Sequence, residues 1–402
     1  MRKKKRKKKH NTRHKRSKMK NFTMSHSNIS TPQINQHLNY NLIKKHSTLK
    51  LNQNPFQFNQ NPCQFIPNFH QKTPKLPKLV IVNSSKSNQS TVKIPPLVVI
   101  GSANADIYVE IERLPKEGET ISAKTGQTLA GGKGANQAVC AAKLSYPTYF
   151  FGQVGEDAHG KLITEALEGG GVCLDHLKNV SDTPTGHAVV MLQSDGQNSI
   201  IIVGGANMSC WPQVISDRDL EVVRNAGIVL LQREIPDFVN LQVAKAARDA
   251  GVRVILDAGG MEGPLPPELL SYVDILSPNE TELSRLTGMP TDTFEETVLA
   301  VSKCYEMGVK QVLVKLGAKG SALFVEGEEP VKQPIISAPK VLDTTGAGDT
   351  FTAAFAVALV EGKPKKECLR FAAAAASLCV RVKGAIPSMP DRQSVLDLLQ
   401  SS

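Results

Sequence analysis

No aspartate or glutamate occurs before Asp106, although 21 of the chain's 48 lysines and arginines lie in that stretch. The remainder holds 27 basic and all 37 acidic residues, a net charge of −10. The formal charge of +11 therefore belongs to no single body: a basic tail is joined to an acidic globule. Basic charge confined to a tail gives no reason to expect nucleic acid on the folded domain. Cysteine is sparse and odd in number, at positions 63, 140, 173, 210, 304, 368 and 379, with no CxxC pair. That argues against a disulfide framework or a zinc site and suits a reducing compartment. No apolar run approaches the ~18 residues that span a bilayer, so no membrane partner is expected. The alanine-rich segment Phe371 to Val380 reads instead as a buried helix, and no internal repeat is visible.

Residues 1–95 are rich in Asn, Gln, Ser, Lys and His, dotted with Pro, and poor in aliphatic periodicity. Such a composition cannot bury enough apolar surface to offset chain entropy, so a disordered basic targeting segment is expected. An acid-free, basic, Ser-bearing segment resembles an organelle transit peptide, and no secretory apolar region follows its positive cluster. The run Arg2 to Lys9 also resembles a nuclear localisation or nucleic-acid patch. Met19 and Met24 are alternative starts, and the second would delete that run.

What is present from residue 96 to 402 is the pattern of one large domain. Leu97-Val98-Val99-Ile100 is a short buried-strand pattern, and Ile107 to Ile111 alternates like a more exposed strand. Val189 to Leu192 and Ile200 to Val203, parted by a polar stretch, read as a hairpin. Segments within 107–130 and 186–203 can thus build a small sheet lobe over a site. Further on, Ile228 to Leu231, Val252 to Leu256, Val273 to Leu276 and Gln311 to Val314 alternate with helical stretches. This predicts an α/β domain with a mostly parallel sheet covered on both faces, its site at the strands' carboxyl ends.

The most specific stretch is Asp343-Thr344-Thr345-Gly346-Ala347-Gly348-Asp349-Thr350-Phe351. Small residues opening a helix present unpaired N–H groups at the positive end of its dipole, a place for phosphate. Asp349 would sit beside that anion, an electrostatic misfit that points to a base taking a proton from an attacking hydroxyl. As a plain alternative, Asp343, Thr344 and Thr345 are capping residues before a tight turn. A second glycine-rich turn, Gly131-Gly132-Lys133-Gly134-Ala135-Asn136, opens a helix to Leu144 without the Walker spacing around Lys133. Asn104, Asp106 and Asn136 could hold a polyol.

With Gly101-Ser102-Ala103-Asn104-Ala105-Asp106 and Ser277-Pro278-Asn279-Glu280-Thr281-Glu282, these motifs stand in the order found in ribokinase-type (PfkB) carbohydrate kinases, which the chain resembles from about Leu97 to Ser388. The resemblance implies a three-layer α/β/α fold with a small β-sheet lid. It implies ATP-dependent phosphorylation of D-ribose at the 5-hydroxyl, with Asp349 as general base and Gly346, Ala347 and Gly348 as anion hole. Sugar contacts would come from Asn104, Ala105, Asp106, Gly131, Gly132, Lys133, Asn136 and Glu234. Nucleotide contacts would come from Asn279, the loop Lys315-Leu316-Gly317-Ala318-Lys319-Gly320, Gly348 and Asp349. The family implies Mg²⁺ organised indirectly through Glu282, and K⁺ at Asp343, Thr345, Cys379, Val382, Gly384 and Ser388, mostly through backbone carbonyls. It also implies a homodimer formed through the lid sheet.

Two departures stand out: Lys315 replaces a residue often neutral in bacterial relatives, and Asp257-Ala258-Gly259-Gly260 replaces an Asn-Pro-Ala-Pro turn. The first leaves the role of Lys315 open and the second bears on fine sugar selectivity, not on phosphoryl transfer; another sugar or nucleoside kinase of this family, such as a fructokinase or deoxyribokinase, is the alternative. A non-catalytic scaffold in an organelle would be expected to lack residues that are intact here. A core of bacterial type behind such a tail suggests the plastid (chloroplast), with mitochondrion, cytosol and nucleus as alternatives.

Overall fold

The computed structural model describes residues 94–194, 198–260 and 263–401. The disordered targeting segment expected over 1–95 therefore lies outside the described residues, apart from Ile94 and Pro95. In chain order the elements are β1 (Leu97–Ile100), β2 (Asn104–Ile111), β3 (Thr125–Gly131), α1 (Lys133–Lys143), β4 (Thr148–Gly155), α2 (Ala158–Gly169), β5 (Cys173–Val180), β6 (His187–Gln193) and β7 (Asn198–Val203). There follow α3 (Asp217–Arg224), β8 (Ile228–Arg233), α4 (Asp237–Asp249), β9 (Arg253–Gly260), α5 (Pro267–Leu270), β10 (Ile275–Ser277), α6 (Glu280–Thr287) and α7 (Phe294–Glu306). The chain closes with β11 (Gln311–Lys315), β12 (Ser321–Val325), β13 (Val331–Gln333), α8 (Ala347–Val360), α9 (Lys365–Cys379), α10 (Ala385–Ser388) and α11 (Arg392–Ser401).

Nine strands form the central sheet, in the order β13-β12-β11-β10-β9-β8-β1-β4-β5. Every pairing is parallel except β11–β12 and β12–β13. The two-residue period of a strand sorts its side chains between two cores. Leu97 and Val99 of β1, with Ile228 and Leu230 of β8, pack against the alanine-rich faces of α1, α8 and α9. Val98 and Ile100, with Val229 and Leu231, pack on the other face against residues of α4 and α7 such as Val239, Val243, Ala300 and Val301. Strands apolar at every position are what a sheet covered on both sides requires. Each such side chain fully buried contributes about 1.5–3 kcal/mol. Phe371 to Val380 indeed lies on and just past a buried helix, α9.

A second, four-stranded sheet, β3-β2-β6-β7, carries a minor core of Tyr108, Ala188 and Val190. Its middle pair, β2 and β6, is parallel, whereas β2–β3 and the β6–β7 hairpin are antiparallel. The architecture is thus the three-layer fold with a small lobe that the strand rhythm suggested. Two local expectations fail. The strand read as more exposed over Ile107 to Ile111 begins at Asn104 and buries Tyr108, which packs with Ala188 and Val190 of β6, as well as Ile111 on its opposite face. Asp257 to Gly260 is no turn: β9 continues through Gly260, which pairs with Arg233 across a register shift.

Candidate active site

The carboxyl ends of β1, β8, β9, β10 and β11 all point to one edge of the sheet, and the starts of α1 and α8 meet there. Gly346 caps α8 with φ of 76°, a left-handed conformation that glycine adopts without a Cβ penalty. The first intrahelical bond runs from the Thr350 N–H to the Gly346 carbonyl, at 2.8 Å. The Gly348 and Asp349 N–H groups thus belong to the first turn, where helical geometry supplies no acceptor. Ala347 is a partial correction to the expected anion hole, since its N–H donates to the Thr344 carbonyl at 3.2 Å. Neither Thr344 nor Thr345 caps the helix, and Asp343 accepts backbone N–H groups from Thr345 (2.9 Å) and Gly384 (2.8 Å).

Asp349 is buried at the first turn of α8. Its Oδ2 accepts from Asn136 Nδ2 at 2.9 Å and its Oδ1 from Gln137 Nε2 at 3.3 Å. Burial pushes its carboxyl above the ordinary range; the nearby Lys133 ammonium opposes the shift, while the charges of Asp257 and Glu234 add to it. An easily protonated buried carboxylate is what general-base chemistry needs. The remaining oxygen of Asn136, Oδ1, is buried and has no hydrogen-bond partner among the described residues. It is therefore an acceptor open to a donor from outside the protein.

The polyol side is built by β1, β2 and β8. Glu234 Oε2 accepts from Ser102 Oγ at 2.5 Å, from the Lys133 backbone N–H at 3.2 Å and from Asn104 Nδ2 at 3.5 Å. Asn104 is fixed from behind by Asn207, whose Nδ2 donates to Asn104 Oδ1 at 2.7 Å and to the Ala103 carbonyl at 3.1 Å. Asp106 is buried against the Gly131 backbone. Burial, then Glu234 and Asp349, push its carboxyl up to about 7. Gly132, at φ of 90°, lets α1 start within van der Waals contact of Ala103 and Asn104. Ala105 is buried and pairs its N–H with the Gly186 carbonyl, so it shapes the wall through its backbone.

Two lysines supply the positive charge. Lys133 Nζ lies 3.7 Å from Asp257 Oδ1 and 3.9 Å from Asp349 Oδ1. Burial would lower its pKa, but Asp257, Asp349, Glu282 and Glu234 together hold it well above the ordinary value. Lys315 Nζ forms a 2.6 Å ion pair with Asp257 Oδ2. A backbone bridge joins Lys315 to Asn279, which brings the two expected nucleotide segments side by side. Asn279 and Glu282 form a capping box for α6, with reciprocal bonds of 2.7 and 2.8 Å. The plain capping role holds for both, yet Glu282 Oε1 still lies with the Lys133 ammonium against Gly259.

The loop after β11 is more structural than the resemblance implied. Leu316 is in the core, and Lys319 Nζ is taken up by Glu280 (2.9 Å) and the Asp292 carbonyl (2.7 Å). That leaves Gly317, Ala318 and Gly320 to offer backbone only. Around the start of α8, Cys379 Sγ lies 3.0 Å from Ser388 Oγ and 3.8 Å from the Thr345 carbonyl, and Asp343 reaches Gly384. Five of the six residues expected around K⁺ thus gather in linked contacts, while the Val382 side chain is exposed and approaches through its backbone bond to Cys379. Among the described residues no cluster of three or more His, Cys, Asp or Glu suits a metal ion.

Sequence reasoning missed Gln137, Asn207 and the hub role of Asp257. Gln137 directly follows the glycine-rich motif and could have been found there. Asn207 holds partners more than a hundred residues away, which no local spacing marks.

Residues 95–392 match the model of the pfkB family carbohydrate kinases. The chain is 77% identical over 303 residues to ribokinase of Arabidopsis thaliana, covering 75% of this chain and 80% of that protein. It is 39% identical over 298 residues to ribokinase of Bacillus subtilis, covering 74% and 97% of the two chains. A solved structure of Arabidopsis thaliana ribokinase complexed with ribose and ATP superposes with a TM-score of 0.75 at 77% identity, over 77% of this chain and all of that one.

Proposed function

The chain belongs to the pfkB family of carbohydrate kinases, and we propose that it transfers the terminal phosphate of ATP to the 5-hydroxyl of D-ribose. One observation carries the mechanism: a buried carboxylate with a raised pKa stands at the start of α8, beside first-turn N–H groups and the free acceptor of Asn136. The sugar's hydroxyls replace the internal bonds that now join Ser102, Asn104 and Glu234, with Asp106 and Asn136 completing the set. Asp349 accepts the proton of the attacking hydroxyl. The N–H groups of Gly348 and Asp349, with the ammonium of Lys133, receive the charge that builds on the phosphoryl oxygens.

Five carboxylates (Asp106, Glu234, Asp257, Glu282 and Asp349) share the site with two ammonium groups. Such a site repels bare polyphosphate, which supports entry of ATP with a divalent cation. Mg²⁺ fits, because it keeps waters and phosphate oxygens as ligands and needs only a carboxylate or two from the protein. Glu282 would hold it through water, and bound there it would neutralise phosphate charge. The carbonyl-rich turn around Asp343, Thr345, Cys379, Gly384 and Ser388 fits K⁺, which would fix the shape of the anion-binding loop. The exposed apolar edge of β7, Ile200 to Val203, supports a homodimer through the lid. The acid-free tail supports delivery to the plastid.

The test is ribose-dependent ADP formation by the native chain and Asp349→Asn, with and without K⁺, against ribose, deoxyribose, fructose and adenosine. Asp349→Asn is expected to lose about 10²- to 10⁴-fold in kcat with ribose KM little changed. Faster turnover of fructose or adenosine than of ribose would overturn the substrate.

A further inference from the structure

Asp257 has no solvent exposure, and two cations converge on it from different elements. Lys315, at the end of β11, lies 2.6 Å from its Oδ2; Lys133, at the start of α1, lies 3.7 Å from its Oδ1. Two neutral donors complete its surroundings, Thr352 Oγ1 at 3.2 Å and the Gly259 N–H at 3.0 Å. Thr352 is one turn into α8, so the carboxylate is tied to the helix that presents Asp349. The Lys315 side chain is nearly buried, and its Nζ lies 3.9 Å from where a Cβ on Gly348 would stand. Its ammonium is therefore within reach of any group seated on the Gly348 N–H. Lys133 reaches the same helix start, 3.9 Å from Asp349 Oδ1. Buried ion pairs confer no general advantage over apolar pairs of the same shape. A pair retained beside the phosphate-binding turn calls for a role in handling phosphate charge.

We infer that Lys315 neutralises the terminal phosphate during transfer, and that Asp257 is the positioning residue that holds Lys315 and Lys133 at the start of α8. The inference rests on the kinase reaction proposed above. Asp257 is enclosed, so it acts on phosphate only through the two lysines. An ammonium held by a carboxylate can share its three donors between that partner and a phosphate oxygen. Lys315 is thus loaded in place before the nucleotide arrives. Its planar counterpart, arginine, would keep the charge while changing the geometry.

The full chain is compared with Lys315→Met, Lys315→Arg, Asp257→Asn and the double variant Asp257→Asn/Lys315→Met, by thermal unfolding and by kinetics in ATP and in ribose. Lys315→Met is expected to melt at lower temperature and to lose about 10²-fold in kcat/KM for ATP, with ribose KM within about two-fold of native. The double variant is expected to recover the melting temperature without recovering ATP kinetics, and Lys315→Arg to keep more activity than Lys315→Met. Asp257→Asn removes a negative neighbour that raises Asp349, so the acid limb of its pH profile moves to lower pH. A double variant with native melting and native kcat/KM for ATP would show a purely structural pair and overturn the inference. So would unchanged ATP kinetics in Lys315→Met. Failure of the native chain to phosphorylate any sugar is a separate result, which would remove the kinase reading itself.

Discussion

Asp106 illustrates how a single side chain can tie substrate binding to acidity. Its carboxyl titrates near 7 because it is buried and faces Glu234 and Asp349. A raised folded pKa means that the native state binds a proton that the unfolded state, titrating near 3.8, has already released. Stability from this group is therefore full below the unfolded pKa and declines as pH rises from about 4 to about 7. Sugar binding runs the other way, since the ionised carboxylate is the better acceptor for a hydroxyl. Ribose affinity measured by calorimetry should rise roughly ten-fold from pH 6 to pH 8, with release of a proton. Asp106→Asn should bind more weakly and flatten that dependence. A native affinity that does not change over this range would remove Asp106 from the sugar site.

At the scale of elements, the turn into α8 is the part least tolerant of change. A side chain at Gly346 would be strained by φ of 76°, and its Cβ would stand 3.0 Å from that of Ala385. Gly346→Ala should cost about 1–3 kcal/mol and lower kcat/KM for ATP, seen together in urea unfolding and steady-state kinetics. Loss of stability with intact ATP kinetics would separate the turn from phosphate binding. The same turn shows what was legible in the sequence. Its composition alone suggested a phosphate cradle and a base, and β1, β8 and β11 were visible as short apolar runs. What escaped was set by contacts distant in sequence. Asp257 looked like part of a turn because it stands where relatives carry Asn-Pro-Ala-Pro, yet pairing of β9 with β8 and β10 keeps it in a strand. Lys319 and Leu316 looked like members of one binding loop, but a carboxylate on α6 claims the first and the apolar core the second.

For the molecule as a whole, charge and shape divide the work. The folded domain is net acidic, so the basic tail should contribute nothing to chemistry. A chain starting at residue 94 should phosphorylate ribose at the native rate, and a large loss of kcat on truncation would contradict this. The apolar edge of β7 is where self-association would bury surface: Ile200, Ile201 and Ile202 are each more than half exposed. Ile201→Lys should shift sedimentation toward the monomer, and an unchanged sedimentation coefficient would place any dimer elsewhere. Lys383 meets Glu110 across 3.5 Å, linking the lid to the turn that follows α9. The union of Asp257 with Lys315 has an evolutionary corollary. Losing Asp257 alone strands the nearly buried Lys315 ammonium, at about 3–5 kcal/mol, and losing Lys315 alone leaves the enclosed carboxylate to the more distant Lys133. Lineages should therefore cross between charged and neutral versions of this couple in a single joint change, or through a weakened ancestor, and descendants carrying just one half should be scarce.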